Sequence, residues 1–170
     1  LLVATEGYFY GGKWFSCLER LDEIEAGLPS LVETVLLPYG SELDNMPQNV
    51  RTLWSDFIGT YEPARVEYTR VGFNHPWYVL FSSGTTGKPK CIVHRTGGVL
   101  LKHLVEHKLH CDITPGDRVF YYTSAGWMMW NWLASALGSE ATLILYDGSP
   151  FYPNASRLFE LVEEADINLF

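Results

Sequence analysis

The chain has 170 residues, of which 47% are hydrophobic and 15% are aromatic, and its formal net charge is -8 at pH 7. This length predicts one domain or part of one, and the hydrophobic fraction excludes a largely disordered chain. The chain has twenty acidic and twelve basic residues, which argues against nonspecific nucleic-acid binding, because that binding needs a basic surface. No run approaches the ~18 apolar residues of a membrane span, so no membrane partner is predicted.

The three cysteines are Cys17, Cys91 and Cys111. They are far apart and form no Cys-x-x-Cys pair, so they predict neither a zinc site nor a redox motif. Reduced cysteines of a cytoplasmic protein are the favoured interpretation. The chain starts without methionine or a basic leader, so residues 1–6 are no signal peptide. Residues 166–170 resemble the start of a strand. We therefore expect both ends to be cuts within a longer protein.

The first third of the chain predicts strands joined by a helix. Residues 1–5 predict the end of a buried strand, residues 7–13 an aromatic turn, and residues 32–37 a second strand. Residues 17–25 have apolar side chains at helical spacing, and Ser16 with Glu19 matches a capping box. Short strands linked by helices favour a parallel α/β sheet.

The next stretch carries no recognisable chemistry. Residues 38–65 are polar and rich in turn formers, and residues 54–57 predict the start of a short helix. Residues 66–71 alternate in polarity, which predicts a strand near the surface. His75, beside a proline, is interpreted as a turn residue.

The centre of the chain predicts a strand, a small-residue loop and another strand. Residues 77–81 have the composition of a buried strand, and residues 91–93 are apolar and β-branched. Between them the chain has only hydroxyl residues, glycines, a proline and two lysines, so its amides can converge on an anion. Two residues between Gly84 and Gly87, with Pro89 after the lysine, exclude a Walker A loop. A polar hairpin turn is the alternative.

This loop resembles the phosphate-loop signature of the adenylate-forming superfamily, Ser-(Ser/Gly)-Gly-(Thr/Ser)-Thr-Gly-x-Pro-Lys, which residues 82–90 match throughout. Cys91 departs from the usual glycine, and Cys-Ile-Val-His resembles the acetoacetyl-CoA synthetase branch. The resemblance implies that the loop binds the β- and γ-phosphates of ATP, with Thr85, Thr86 and Lys90 as catalytic residues. The nucleotide-binding residues implied are Ser82, Ser83, Gly84, Thr85, Thr86, Gly87, Lys88, Lys90 and His94. His94 would orient the loop or contact phosphate.

Residues 96–110 have apolar and histidine side chains along helical stripes. His103 and His107 are four residues apart, so they could share one face and bind zinc. No third ligand and no Glu-x-x-His order accompany them. The surface of an amphipathic helix is the preferred interpretation, and no metal site is predicted.

Residues 113–122 predict a turn and then a strand, which delivers an aromatic and methionine-rich segment at its end. Open α/β sheets place ligands at such strand ends, although a plain hydrophobic core is the alternative. By resemblance to acyl-CoA synthetases of the acetate group, Gly126, Trp127, Met128 and Met129 would line the acyl pocket. Residues 141–145, 157–164 and 167–170 predict a strand, a helix and a strand.

The resemblance implies an α/β fold, with a largely parallel sheet flanked by helices. Residues 1–170 would be an incomplete N-terminal AMP-binding domain that lacks the C-terminal lid domain. The complete enzyme would join acetoacetate to coenzyme A with ATP and Mg²⁺, through an acyl-adenylate. The family's adenine and magnesium motif, ribose-binding aspartate and C-terminal lysine are not in this sequence, so the chain alone is expected to be inactive. Two alternatives remain: a ligase for another short-chain acid such as acetate or propionate, and a non-catalytic remnant that binds nucleotide weakly.

Overall fold

The computed structural model describes residues 1–40, 51–82 and 87–170. Four predicted phosphate-loop residues, Ser83, Gly84, Thr85 and Thr86, lie outside the described residues. The described chain forms two compact units. One unit is Leu1–Glu67 with Asp147–Pro153, and the other is Tyr68–Tyr146 with Asn154–Phe170.

The first unit is built on a parallel three-stranded sheet. Its elements in chain order are β1 (Leu2–Thr5), β2 (Gly7–Tyr10), β3 (Lys13–Ser16), α1 (Leu18–Gly27), β4 (Thr34–Leu37), β5 (Thr52–Leu53) and α2 (Trp54–Gly59). The sheet order is β1-β4-β5, with both pairs parallel. Val35 and Leu36 of β4 are completely buried, as an apolar run in the central strand of a parallel sheet should be. The predicted parallel sheet and first helix are confirmed.

Two local predictions in this unit are wrong. The expected turn over residues 7–13 is a β-hairpin, in which only Gly11 and Gly12 turn, with φ of 58° and 76°. Aromatic pairs across the strands stabilise it, including Tyr8 stacked on Phe15 with ring centroids 5.4 Å apart. The capping box does not form, because Ser16 is the last residue of β3 and Cys17 takes the N-cap position.

The second unit contains the remaining elements. They are β6 (Pro76–Ser82), β7 (Lys90–Arg95), α3 (Thr96–Val105), a π-helical turn (Glu106–His110), β8 (Arg118–Phe120), α4 (Met128–Ser135), a 3-10 turn (Ala136–Ser139), β9 (Thr142–Ile144) and α5 (Arg157–Glu164). Strands β8 and β9 are parallel, whereas β6 and β7 form an antiparallel hairpin. The core consists of Ile113, Val119, Leu133, Ala136 and Ala141. It anchors α4 against β8 and so fixes the position of the methionine-rich segment.

Three strand predictions after α2 need correction. Residues 66–71 form no strand, because their alternating pattern meets no partner among the described residues. Residues 77–81 form the expected strand, but it is not buried: Phe81 is 68% exposed, since β7 is the one strand that pairs with β6 among the described residues. Residues 167–170 contribute a single parallel bridge, between Leu169 and Val119, instead of a full strand.

Candidate active site

The predicted phosphate loop connects the two strands of the β6–β7 hairpin. Ser82 ends β6 directly opposite Lys90, which begins β7. Gly87 has a φ of 96°, in the left-handed region that favours glycine. Lys88 and Lys90 are exposed, and neither pairs with a carboxylate in the described part of the chain. The strand–loop–strand arrangement thus places two unneutralised lysines at the end of the hairpin where the loop lies.

His94 lies at the other end of β7. It lies four positions after Lys90, which corresponds to about 13 Å along a strand. Its ring is 5.1 Å from the ring of Tyr78, its neighbour across the hairpin. Burial raises the pKa of Tyr78, so its hydroxyl stays protonated at neutral pH. His94 is one of the residues that line a cavity next to α3.

The cavity has a volume of about 570 Å³ and lies wholly within the second unit. Its lining residues are His94, Gly98, Val99, Lys102, His103, Glu106, Met128, Met129 and Trp132. Small-molecule sites commonly have volumes of ~300–1,000 Å³. The structure therefore brings three residues predicted for the site, His94, Met128 and Met129, to one cavity of suitable size.

The other two predicted pocket residues lie elsewhere. Trp127 is 64% exposed and lines a separate cavity with Tyr122, Thr123 and Ser124. It is the N-cap residue of α4, and its N–H donates to the carbonyl oxygen of Ser124 at 3.0 Å. Gly126 is exposed, and a Cβ added there would meet nothing within 4 Å. A role of either residue in the acyl pocket stays a prediction.

Six of the lining residues were missed by the sequence analysis as cavity residues, and four of these six share one face of a helix. Val99, Lys102, His103 and Glu106 follow the spacing i, i+3, i+4, i+7, so they form one stripe of the α3 helix and the turn after it. That spacing marks them as one helix face, but only the packing of α4 beside α3 makes this face part of a cavity. Lys102 and Glu106 form an ion pair, and the hydrogen bond from Lys102 lowers the pKa of Glu106.

The assignment of His103 and His107 to a helix surface is wrong, because α4 covers that face of α3. His107 is completely buried and its Nε2–H donates to the carbonyl oxygen of Trp132 at 3.1 Å. His103 Nδ1 is 2.8 Å from the hydroxyl oxygen of Ser135. Burial lowers the pKa of both histidines. The described residues contain no group of three or more side chains arranged to bind a metal ion.

A protein-family model described as AMP-binding enzyme matches residues 15–170. The chain belongs to the AMP-binding enzyme family. This confirms the resemblance inferred from the phosphate-loop string and from the segment that begins α4.

Individual members of the AMP-binding family resemble the chain over nearly its whole length. It is 45% identical to acetoacetyl-coenzyme A synthetase of Rhizobium meliloti (strain 1021), over 94% of this chain and 25% of that protein. It is 40% identical to malonamoyl-CoA synthetase of Penicillium aethiopicum, over 89% of this chain and 22% of that protein. The solved acetoacetyl-CoA synthetase from Streptomyces lividans superposes with a TM-score of 0.89 at 41% identity, covering 99% of this chain and 25% of that one.

The structural match confirms the predicted α/β fold class. The chain spans about a quarter of the length of the curated relatives it matches. None of the helices in the described ranges is both long and apolar enough to cross a membrane.

Proposed function

We propose that the protein containing this chain is an acid–thiol ligase that forms acetoacetyl-CoA. A carboxylate oxygen of acetoacetate attacks the α-phosphate of ATP, which forms acetoacetyl-adenylate and releases pyrophosphate. The thiolate of coenzyme A then attacks the acyl carbon, the acyl–phosphate bond breaks, and AMP leaves. In this proposal residues 1–170 are the incomplete N-terminal AMP-binding domain of that enzyme.

One observation carries the proposal: the cavity beside the phosphate-loop hairpin contains both His94 of β7 and the methionine pair that begins α4. A hairpin that holds triphosphate at its loop and an apolar acyl pocket at its far end would position an acid for attack on ATP. Lys88 and Lys90 would offset the negative charge on the phosphoryl oxygens, and the loop amides and hydroxyls would donate to them. ATP is expected to enter with Mg²⁺, to which we assign no ligand.

The choice of acid is supported by the relatives. Two of the three proteins described above are named for acetoacetyl-CoA and one for malonamoyl-CoA. Both acyl groups have the same skeleton, with a carbonyl at carbon 3 and either a methyl or an amino group beyond it. Malonamate is therefore the second candidate acid, ahead of acetate and propionate.

The test is carboxylate-dependent ATP–pyrophosphate exchange by the full-length protein that contains this chain. The acids to compare are acetoacetate, malonamate, acetate, propionate, butyrate and 3-hydroxybutyrate. We expect the fastest exchange with acetoacetate. Preference for another acid would support the proposed ligase activity but contradict acetoacetate as its substrate. No exchange with any acid would favour the non-catalytic alternative.

We also propose that the enzyme works in the cytoplasm. Cys17, Cys91 and Cys111 are all free thiols in the structure, as expected in a reducing compartment. Fractionation of cells that produce the tagged full-length protein should recover it with cytoplasmic markers, and recovery with a secreted fraction would contradict the proposal.

A further inference from the structure

We infer that His107 is a positioning residue, which holds one wall of the acyl pocket in place through the main chain of Trp132. The inference rests on the proposed function and adds to it a residue that does not itself line the cavity. It gives a role to a histidine that the sequence analysis had assigned to a helix surface.

His107 is anchored in the core of the second unit. Its side chain is completely buried, and its carbonyl oxygen accepts the N–H of the core residue Ile113 at 2.8 Å. The π-helical turn that carries it is closed by the Cys111 N–H, which donates to the Glu106 carbonyl oxygen at 2.9 Å. Single π-helical turns are frequent at functional sites. The backbone of His107 is therefore held on the side of the ring that faces away from α4.

The ring of His107 makes two contacts with Trp132 of α4. Its Nε2–H donates to the Trp132 carbonyl oxygen at 3.1 Å, and the two rings pack edge to face with centroids 4.8 Å apart. Burial lowers the pKa of His107, so the ring is uncharged at neutral pH and one of its nitrogens carries a proton. A carbonyl oxygen can only accept, which assigns that proton to Nε2.

The Trp132 carbonyl oxygen is available because α4 changes its hydrogen bonding at this point. In a continued α-helix this oxygen would accept the N–H of Ala136, but that N–H donates to the Leu133 carbonyl oxygen as the chain enters the 3-10 turn. Two side chains donate to it instead, His107 and the hydroxyl of Ser135, the latter at 2.8 Å. The end of α4 is thus attached to the π-helical turn by a bond that the helix itself does not use.

Trp132 connects His107 to the acyl pocket. It follows Met128 by four residues and Met129 by three, so the three side chains share one face of α4, and all three line the cavity. Because a helix of two turns moves as a unit, the place at which Trp132 is held sets the position of both methionines. Methionine side chains are flexible, so the wall that they form depends on a fixed backbone.

The second ring nitrogen of His107 indicates that packing alone does not account for this residue. Nδ1 is buried and has no hydrogen-bond partner among the described residues. A buried acceptor without a partner lowers stability, and an aliphatic side chain would avoid that penalty. What the histidine adds is the directional hydrogen bond to α4.

The experiment compares three substitutions of His107 in the full-length protein that contains this chain. His107→Gln places an amide nitrogen where Nε2 lies and keeps the donor to Trp132, whereas the shorter side chain of His107→Asn does not reach that oxygen. His107→Leu removes the polar group at similar volume. The control is Val35→Ala, which opens a cavity in the buried strand β4 of the first unit and reports the effect of lost stability alone. The kcat for ATP–pyrophosphate exchange and the KM values for acetoacetate and for ATP are measured.

We expect the KM for acetoacetate to rise about tenfold in His107→Asn and His107→Leu, with the KM for ATP unchanged, because the acid meets a displaced wall. His107→Gln should keep the wild-type KM for acetoacetate. Val35→Ala should affect kcat alone and leave both KM values unchanged. If His107→Leu does not fold, the matched Gln and Asn variants decide between the outcomes.

Three results would contradict these expectations. An unchanged KM for acetoacetate in His107→Asn, or a rise of equal size in His107→Gln, would overturn the inference and leave the ligase proposal intact. A loss of kcat alone, as in Val35→Ala, would reduce His107 to a residue of stability and would also overturn the inference. A wild-type protein that exchanges with no acid would instead overturn the proposed function, and the inference with it.

Discussion

At the scale of single residues, Lys90 is the charge that we propose contacts the nucleotide. It begins β7 opposite Ser82, is exposed, and has no carboxylate partner among the described residues. A cation left unneutralised beside a glycine- and hydroxyl-rich loop is suited to a polyphosphate. The hairpin holds the backbone of Lys90 in register, so only the side chain must order on binding.

We predict that Lys90→Ala lowers the rate of ATP–pyrophosphate exchange about 10- to 100-fold, because a charge-assisted hydrogen bond to phosphate is lost. The rate is measured with the full-length protein at saturating acid. Lys108→Ala is the control, since Lys108 is exposed on the π-helical turn and does not line the cavity. Equal rates for wild type and Lys90→Ala would contradict the proposed contact of this lysine with phosphate.

Glu6 is a buried carboxylate that binds backbone N–H groups of the segment after β4. Its side chain is completely buried and accepts hydrogen bonds from the N–H groups of Tyr39, at 3.0 Å, and Gly40. Burial by itself would raise the pKa of Glu6, but the hydrogen bonds from Gly40 and Tyr39 outweigh it, and the pKa is lowered. The ionised form is therefore the one that stabilises the segment after β4.

We predict that Glu6→Gln speeds amide hydrogen exchange at Tyr39 and Gly40 about tenfold or more near neutral pH. Because the folded pKa is lowered, the stabilisation is present above the unfolded pKa of ~4.3 and is lost as the pH falls through the folded pKa. The difference between wild type and variant should shrink accordingly in acid. Glu23→Gln, on the exposed face of α1, should show no difference at any pH.

At the scale of elements, α3 begins with two glycines in different surroundings. A Cβ added to Gly97 would lie 2.2 Å from Cδ2 of Phe73, whereas one added to Gly98 would meet nothing within 4 Å. The Gly97 N–H also donates to the Phe73 carbonyl oxygen at 2.9 Å. The ring of Phe73 must therefore move before position 97 can hold a side chain.

We predict opposite effects for alanine at these neighbouring positions. Gly97→Ala should lower the free energy of unfolding by about 1–2 kcal/mol, because Phe73 must move. Gly98→Ala should raise it by up to ~1 kcal/mol, since alanine favours a helix. Urea unfolding of the full-length protein compares the pair. Destabilisation of equal size at both positions would show that general crowding of the helix start, and not Phe73, is responsible.

The elements that sequence could predict are those specified by local pattern. The helix at residues 157–164 is observed with the same bounds, because its apolar stripe and the ion pairs of Arg157 with Glu160 and Glu164 are all within two turns. The strands around the phosphate loop could be predicted as well, since the runs before and after the loop are apolar and the loop itself is polar. For the site, a nine-residue string was enough to indicate the family.

The elements that sequence could not predict depend on distant partners. His107 is buried because α4, about 25 residues later, covers it and offers the Trp132 carbonyl oxygen. The π-helical turn that carries His107 has no distinctive composition. Residues 66–71 alternate as a strand should, yet no neighbour among the described residues pairs with them. Lys102 and Glu106 likewise belong to the cavity only through the packing of α3 beside α4.

At the scale of the whole molecule, the β6–β7 hairpin presents a large apolar surface. Trp77 and Phe81 of β6 and Val93 of β7 are each at least half exposed. Soluble proteins rarely leave contiguous apolar surface of this kind uncovered unless something binds there. The relatives are about four times as long as this chain, which leaves ample polypeptide to cover it.

We predict that the isolated 170-residue polypeptide associates with itself and catalyses no ATP–pyrophosphate exchange. Apolar side chains of the hairpin are exposed in the part of the chain that the structure describes, and the domain is expected to be incomplete. Light scattering and the exchange assay test the two parts separately. The full-length protein is the comparison and should give lower scattering and measurable exchange. Exchange by the isolated polypeptide would contradict the expectation that the domain is incomplete.

The division of the chain into two units also has a consequence for synthesis. The last segment of the first unit is Asp147–Pro153, which follows most of the second unit in the sequence. That segment supplies Asp147, which accepts a hydrogen bond from the Tyr39 hydroxyl, and Tyr152, whose ring lies against Gly12. On the ribosome, residues 1–67 therefore emerge long before the piece that completes their packing. A chaperone that acts during translation would therefore meet residues 1–67 while their packing is still incomplete.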